Sequence, residues 1–194
     1  MKIGIILLAA GSSSRMGQSK QLLEIGGEQL LLKSTQVALQ SIAEKVIVVL
    51  GANESDHRKV IEQLSCEIIV NKDWQLGMGS SLKKGLAELL LIAPKLEAVL
   101  VMVCDQPLLT TEHLNAIIKK FELTKGHIVA SYYSGSAGVP ALFDKSLFEK
   151  LLNVEDQAGA KKILIQHKEI VQTIDFAQGA IDLDTPEDYQ TFIS

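Results

Sequence analysis

The sequence predicts an α/β chain built on a mostly parallel central sheet, and three observations carry that prediction. Ile3, Ile5, Ile6, Leu7 and Leu8, then residues 46–50, then residues 98–103 are short, nearly continuous apolar runs, the pattern of strands buried on both faces. Segments with apolar residues at helical spacing stand between them, joined by short connections, so strand and helix alternate. No internal repeat or low-complexity linker interrupts the 194 residues, which read as one domain over 1–194 with a substantial core.

In chain order, residues 29–41 place Leu30, Leu31, Val37, Ala38 and Ile42 near helical spacing, so this helix covers one sheet face. Residues 54–64 predict an amphipathic helix with Val60, Ile61 and Leu64 inward, and residues 68–70 a third strand. NKDWQLGMGSS at 71–81 leads into a helix to about Leu91, with its serines as caps. Trp74 in that loop either lines a pocket or covers a sheet edge. Thr110 or Thr111 caps a helix to Phe121 whose buried stripe is Leu114, Ile117, Ile118 and Phe121. Residues 128–132 form a strand, and in the following SGSAGVPALF Pro140 sits where an edge strand tolerates it. Asp144 caps the helix holding Leu147, Phe148, Leu151 and Leu152. Residues 170–174 and 181–184 are the last strands, before a helix with Thr185 as cap, Pro186 at its first position and Asp188 at its positive end.

Composition narrows the function. The chain is 47% hydrophobic and 22% charged with a formal charge of −4, so it offers no basic field for nucleic acid, and any anionic ligand must meet local cations. Cys66 and Cys104 are far apart and form no CxxC, which favours packed thiols in a reducing compartment. The amino-terminal apolar run is too short for a signal peptide, with only Lys2 before it, and no segment is long enough to span a membrane. The expected location is the cytoplasm.

The chemistry concentrates after the first strand, in AAGSSSRMGQSKQ. Gly11 and Gly17 let the backbone approach a ligand, Ser12, Ser13 and Ser14 offer hydroxyls and amides to anionic oxygens, and Arg15 and Lys20 supply charge. A guanidinium fork and a point-like ammonium on one turn suit a polyphosphate. It is not a P-loop, since five residues separate the glycines and Gln18 follows, and GMGSSL at 77–82 lacks the third glycine of a dinucleotide fingerprint.

Gly79, Ser80 and Ser81 open a helix whose amides attract phosphate or a base carbonyl. Asp105 in CDQP stands at the carboxyl end of a central strand, where it is placed to hold Mg²⁺. Asp184 reads as a second metal ligand, with Asp182 as its understudy on the same strand face, whereas Asp188 favours the helix start. Cys104 reads as a packed apolar residue, and His57, His113, His127 and His167 as surface or scaffold.

LAAGSSSRMGQSKQLL at 8–23, GMGSSL at 77–82, CDQP at 104–107, GVPALF at 138–143 and DLDTPEDY at 182–189 together resemble the MobA-like nucleotidyltransferases, and most closely the molybdenum cofactor cytidylyltransferases. The resemblance spans nearly the whole chain. It implies a three-layer Rossmann-like nucleotidyltransferase fold and a Mg²⁺-dependent transfer of CMP from CTP to the phosphate of Mo-molybdopterin, releasing pyrophosphate. It implies nucleotide contacts from Leu8, Ala9, Ala10, Gly11, Ser12, Arg15, Lys20, Gly79, Ser80, Ser81 and Asp105, with Arg15, Lys20 and Asp105 as the catalytic set. The second alanine of LAAG and the form of GMGSS go with cytosine selection. Gly138, Pro140 and Lys161 would meet the pterin. At 155–164, EDQAGAKKIL departs from the resembled pattern: Asp156 and Gln157 replace glycine and aspartate, and Lys161 replaces an arginine and loses its fork. A molybdenum hydroxylase would be the recipient of the product. The alternatives are a relative using GTP or another acceptor, such as a sugar or methylerythritol phosphate, and a non-catalytic nucleotide or cofactor chaperone.

Overall fold

β1 (Ile3–Ala9) is buried along its whole length, with Ile3, Ile5, Leu7 and Ala9 in one half of the core and Ile6 and Leu8 in the other. The chain here is a computed structural model describing residues 1–193, with the side chain of Arg15 outside that description. A small hairpin follows, β2 (Glu24–Ile25) and β3 (Glu28–Gln29), turned by Gly26 and Gly27. Then come α1 (Leu30–Leu39), β4 (Lys45–Leu50), α2 (Glu54–Ile61), β5 (Glu67–Val70), α3 (Met78–Ile92) and β6 (Ala98–Val103). The second half is α4 (Thr111–Thr124), β7 (Ile128–Tyr133), β8 (Ser136–Asp144), α5 (Phe148–Leu152), α6 (Ala160–Gln166), β9 (Val171–Asp175) and α7 (Pro186–Ile193). None of the described helices is long and apolar enough to cross a membrane.

Seven strands join one sheet in the order β5-β4-β1-β6-β8-β7-β9. All neighbours are parallel except β8, which is antiparallel to both β6 and β7. From β1 the chain steps outward to β4 and β5, then returns to lay β6 on β1's other side. This reversal opens a crevice at the carboxyl ends of β1 and β6, the place where open α/β sheets bind ligands. Leu30, Leu31, Ala38, Leu114, Ile117 and Phe121 of α1 and α4 close one face, and Leu82, Leu86, Leu89, Leu151 and Ile163 of α3, α5 and α6 close the other. Each fully buried leucine contributes about 1.5–3 kcal/mol, so three layers follow from two apolar sheet faces.

Four expectations need correction. Residues 181–184 are not a strand: Leu183 is fully buried and its N–H donates to Asp105 O at 3.3 Å, so the segment crosses the end of β6, whose edges are already paired to β1 and β8. Ile42 is 54% exposed, because Ser41 donates from its N–H (3.2 Å) and hydroxyl (2.6 Å) to Ala38 O and ends α1 before it. Pro140 is in an interior strand, at a bulge where the register jumps from Ala130↔Ala141 to Ser131↔Gly138, so its missing N–H interrupts no ladder bond. The serines of GMGSS lie inside α3, which begins after Gly77 with no side-chain cap. The expected caps elsewhere are present: Thr110 Oγ1 accepts from His113 N, and Asp144 from Ser146 N.

Candidate active site

A cleft of about 310 Å³ opens at the crevice between β1 and β6. Leu8, Ala9, Ala10, Gly11 and Ser12 form one wall, Asp105 and Cys104 another, with Lys20 between them. Gly11 is exposed, and an added Cβ would meet nothing within 4 Å. The protein's own packing does not require a glycine there.

The loop is shaped by a residue the sequence reading left without a role. Gln21 is 2% exposed, and its amide nitrogen donates to Ala9 O (3.1 Å) and Gly11 O (2.9 Å), while its amide oxygen accepts from Ser13 Oγ (3.0 Å) and Ser19 Oγ (2.8 Å). Ser13 Oγ also accepts from Lys20 N at 3.1 Å. Ser13 sits at φ 55°, ψ 38°, a left-handed conformation that costs a non-glycine residue of order 1 kcal/mol or more and persists only where surrounding contacts enforce it. Gln21 and its two serines supply that enforcement.

Lys20 Nζ donates to Asp105 Oδ2 at 2.8 Å and to Asp184 Oδ1 at 2.9 Å. Two acids 79 positions apart therefore meet on one ammonium. Asp105 arrives at the end of β6, and Asp184 is brought there by the Leu183 bond to Asp105 O. Its backbone is then fixed by Asp188, whose Oδ2 accepts from Asp184 N (3.2 Å) and Thr185 N (2.8 Å) while Asp188 N donates to Thr185 Oγ1 (3.2 Å). Asp188 thus serves the helix start. Burial works against the charge of Lys20, but the Asp105 and Asp184 carboxylates outweigh it and hold its pKa above the ordinary lysine value. A second depression of about 170 Å³ shares Gly11 and Lys20 with the cleft and adds Asp184. Lys20 stands between the two.

Asp105 and Asp184 form a hard, anionic oxygen pair gathered on a cation, a donor set that suits a divalent ion retaining several waters. Among the described residues no three Asp, Glu, His or Cys side chains cluster as an all-protein cage. Asp182 is exposed beside the pair, and desolvation, then the charges of Asp184 and Asp105, raise its pKa. Its expected place on a strand face is lost with the strand. Cys104 is buried, and desolvation pushes its thiol up to about 12, so it stays protonated and packed.

The second glycine and serine loop behaves differently. Gly77 has φ +126°, and a Cβ on Gly79 would lie 2.1 Å from Glu155 O and 2.3 Å from Ala158 O. The Gly79 N–H already donates to Asp156 O at 2.8 Å, and Lys83 pairs with Asp156 at 2.6 Å. Ser80 Oγ donates to Gly77 O (2.8 Å), and Asn71 Nδ2 donates to Ser80 Oγ (2.9 Å) and Ser81 Oγ (3.0 Å). Of this trio only Ser81 reaches the cleft wall. The divergent 155–158 segment is the lock on the start of α3.

Gly138 and Pro140 are buried in β8, where Tyr133 packs over Gly138 and donates from its hydroxyl to Val139 O at 3.0 Å. Lys161 is exposed on α6, and none of these three residues lines either depression. The side chain of Arg15 lies outside the described residues. Trp74, Gln75 and Met78 line the cleft. Trp74 packs where a Cβ on Gly51 would be 2.7 Å from its own Cβ, so it both covers the β4 end and walls the pocket.

Comparison with known proteins identifies the family. The MobA-like NTP transferase domain description matches residues 5–171. The chain is 31% identical to a nicotine blue oxidoreductase of Paenarthrobacter nicotinovorans over 94% of this chain and 92% of that protein. It is 27% identical to a molybdenum cofactor cytidylyltransferase of Escherichia coli over 97% and 94%. The crystal structure of Rv0371C from Mycobacterium tuberculosis in complex with manganese superposes with a TM-score of 0.82 at 25% identity, covering 99% of this chain and 98% of that one. The matched domain spans most of the chain, including both strands that carry the cleft, and the chain therefore belongs to the MobA-like NTP transferase family and is a nucleotidyltransferase.

Proposed function

We propose that this protein, acting as one domain, transfers CMP from CTP to the terminal phosphate of Mo-molybdopterin, giving molybdopterin cytosine dinucleotide and pyrophosphate. The observation that carries this reading is the meeting of Asp105 and Asp184 on Lys20 at the mouth of the Gly11 loop. The similarity to a molybdenum cofactor cytidylyltransferase over nearly the whole chain supports the acceptor and the base.

An acceptor phosphate oxygen attacks the α-phosphorus of CTP, a new P–O bond forms, and the bond to the pyrophosphate oxygen breaks. Both the attacking phosphate and the leaving pyrophosphate are anions at neutral pH, so alignment and charge neutralisation replace a general base. The amides from Gly11 to Ser14 and the hydroxyls of Ser12 and Ser14 cradle the triphosphate, while the Ser13 hydroxyl stays engaged with Gln21. Lys20, standing between the two depressions, neutralises charge on the bridging oxygens as the acceptor enters from the Asp184 side, and Arg15 adds its charge at the same loop. Asp105 and Asp184 would hold Mg²⁺, which supplies Lewis-acid stabilisation to the phosphate oxygens. Asp182 would stand by them at the surface. The reaction belongs in the cytoplasm, with a molybdenum hydroxylase receiving the product.

A pyrophosphate-release assay offering CTP, GTP, ATP and UTP, each with and without loaded molybdopterin, tests this reading. Magnesium-dependent release with CTP and molybdopterin together is the expected result. Preference for GTP, or turnover only with a sugar or methylerythritol phosphate, would move the chain elsewhere within its family. Nucleotide binding without pyrophosphate release would make it a carrier.

A further inference from the structure

The network around the Gly11 loop does not stop at Gln21. His57, on α2, is fully buried, and its Nε2 lies 2.6 Å from Ser19 Oγ. The Ser19 hydroxyl has one hydrogen, and it is directed to Gln21 Oε1 at 2.8 Å. The contact with His57 must then take its proton from the ring, so Nε2–H donates and Nδ1 is bare. Nδ1 is buried without a hydrogen-bond partner. The opposite tautomer would bury an N–H with nothing to receive it, which folded proteins avoid more strictly than a bare acceptor. Burial also holds the pKa of His57 below the ordinary histidine value, so the ring stays neutral.

A continuous polar chain thus runs from α2 through Ser19 and Gln21 to the backbone carbonyls of Ala9 and Gly11, with Ser13 joined at Gln21. Its two ends, the His57 ring and the Gln21 amide, are buried, and the half-buried Ser13 and Ser19 hydroxyls join them; buried polar groups of this kind cost free energy when their partners are lost. What it fixes is the left-handed turn at Ser13 and, through Ser13 Oγ, the backbone amide of Lys20. We propose that His57 is a positioning residue for the nucleotide, holding the 10–21 loop in its phosphate-binding shape through Ser19 and Gln21. This deepens the function proposed above and rests on it for the identity of the ligand.

The test uses Ser19→Ala, His57→Leu, their double variant and His57→Gln, whose amide N–H reaches about as far as imidazole Nε2. In ligand-free protein, hydrogen exchange of residues 11–21 should accelerate about tenfold in Ser19→Ala and His57→Leu, with residues 45–50 unchanged. Binding of inorganic tripolyphosphate and of CTP with magnesium should weaken by a common factor of about ten, the scale of one lost hydrogen bond. Turnover at saturating CTP should stay within about threefold, so the loss falls on KM and not on kcat. The double variant should be no weaker than either single one, because either break opens the same chain. His57→Gln should restore wild-type exchange and binding. Wild-type exchange in Ser19→Ala, multiplicative losses in the double variant, or no rescue by glutamine would overturn the inference. Should His57→Leu fail to fold, His57→Asn, whose shorter amide falls short of Ser19, takes its place in the same measurements. If the wild-type protein binds no nucleotide, the proposed function falls, while the exchange measurement still decides the role of His57.

Discussion

Two loops that each carry two glycines and a run of serines flank the cleft, and they use them in opposite ways. The 10–21 loop leaves Gly11 facing open space and holds Lys20 at the cleft between Asp105 and Asp184, and the bonds of Gln21 run to the Ala9 and Gly11 carbonyls and leave that surface clear. The 71–81 loop turns inward: its glycines are crowded by the 155–158 carbonyls, one amide is already bonded, and Asn71 occupies both serine hydroxyls. Glycine and serine at a helix start describe an anion site only when their donors are unengaged. In the second loop the same residues make a joint between two parts of the fold.

The largest effect expected from this contrast is on chemistry. Asp105→Ala, which removes one partner of Lys20, should fold cooperatively and lose about 10²–10³ in turnover by pyrophosphate release, the scale for one preorganised electrostatic group. Near-normal magnesium-dependent turnover would detach the first loop from catalysis. Next, Gly79→Ala and Gly11→Ala should fail in opposite assays. The first should lose about 3 kcal/mol in urea denaturation, since its new methyl meets backbone that cannot turn aside. The second should keep its midpoint and lose about tenfold in CTP affinity by calorimetry. If Gly79→Ala is fully stable, the joint is not a joint. Asn71→Ala should cost about 1–3 kcal/mol in the same denaturation series by removing the donor to the buried Ser80 and Ser81 hydroxyls.

The smallest effect concerns pH. Burial lowers the pKa of His57, and that of His113, below the ordinary value of 6.5, so the unfolded chain binds more protons than the folded one as pH falls through 6.5. Stability should therefore decline on acidification below about pH 6.5, by no more than ~1.4 kcal/mol per pH unit for each group. Thermal melts of wild type and His57→Gln from pH 7.5 to 5 should diverge, the variant showing the shallower slope, with His113 keeping part of it.

The central strands were legible because burial on both faces leaves an unbroken apolar run that few other structures tolerate. Lys20, Asp105 and Asp184 were legible because each stands where a strand or loop ends and the chain can aim a charge at a crevice. Ile181 and Leu183 alternate like a strand, yet one is exposed at 41% and the other is an anchor under Asp105, a distinction set by which sheet edges remain unpaired. The β2–β3 hairpin escaped notice although Gly26-Gly27 is a strong turn signal, because strands of two residues carry no periodicity. Gln21, Ser19 and His57 escaped for another reason: their roles exist only in contacts across as many as 38 positions, and no local pattern encodes them. That the Gly79 amide is already engaged was not legible, because its partner segment, 155–158, lies far along the sequence, whereas Ser81 does stand on the cleft wall.

The late arrival of Asp184 separates two events during synthesis. A nascent chain that has emerged through β9 already possesses every strand and nearly all of its apolar interior, yet lacks the acid that completes the pair on Lys20. The sheet can be assembled first and the charged centre closed afterwards, when Leu183 drops into its socket beneath Asp105.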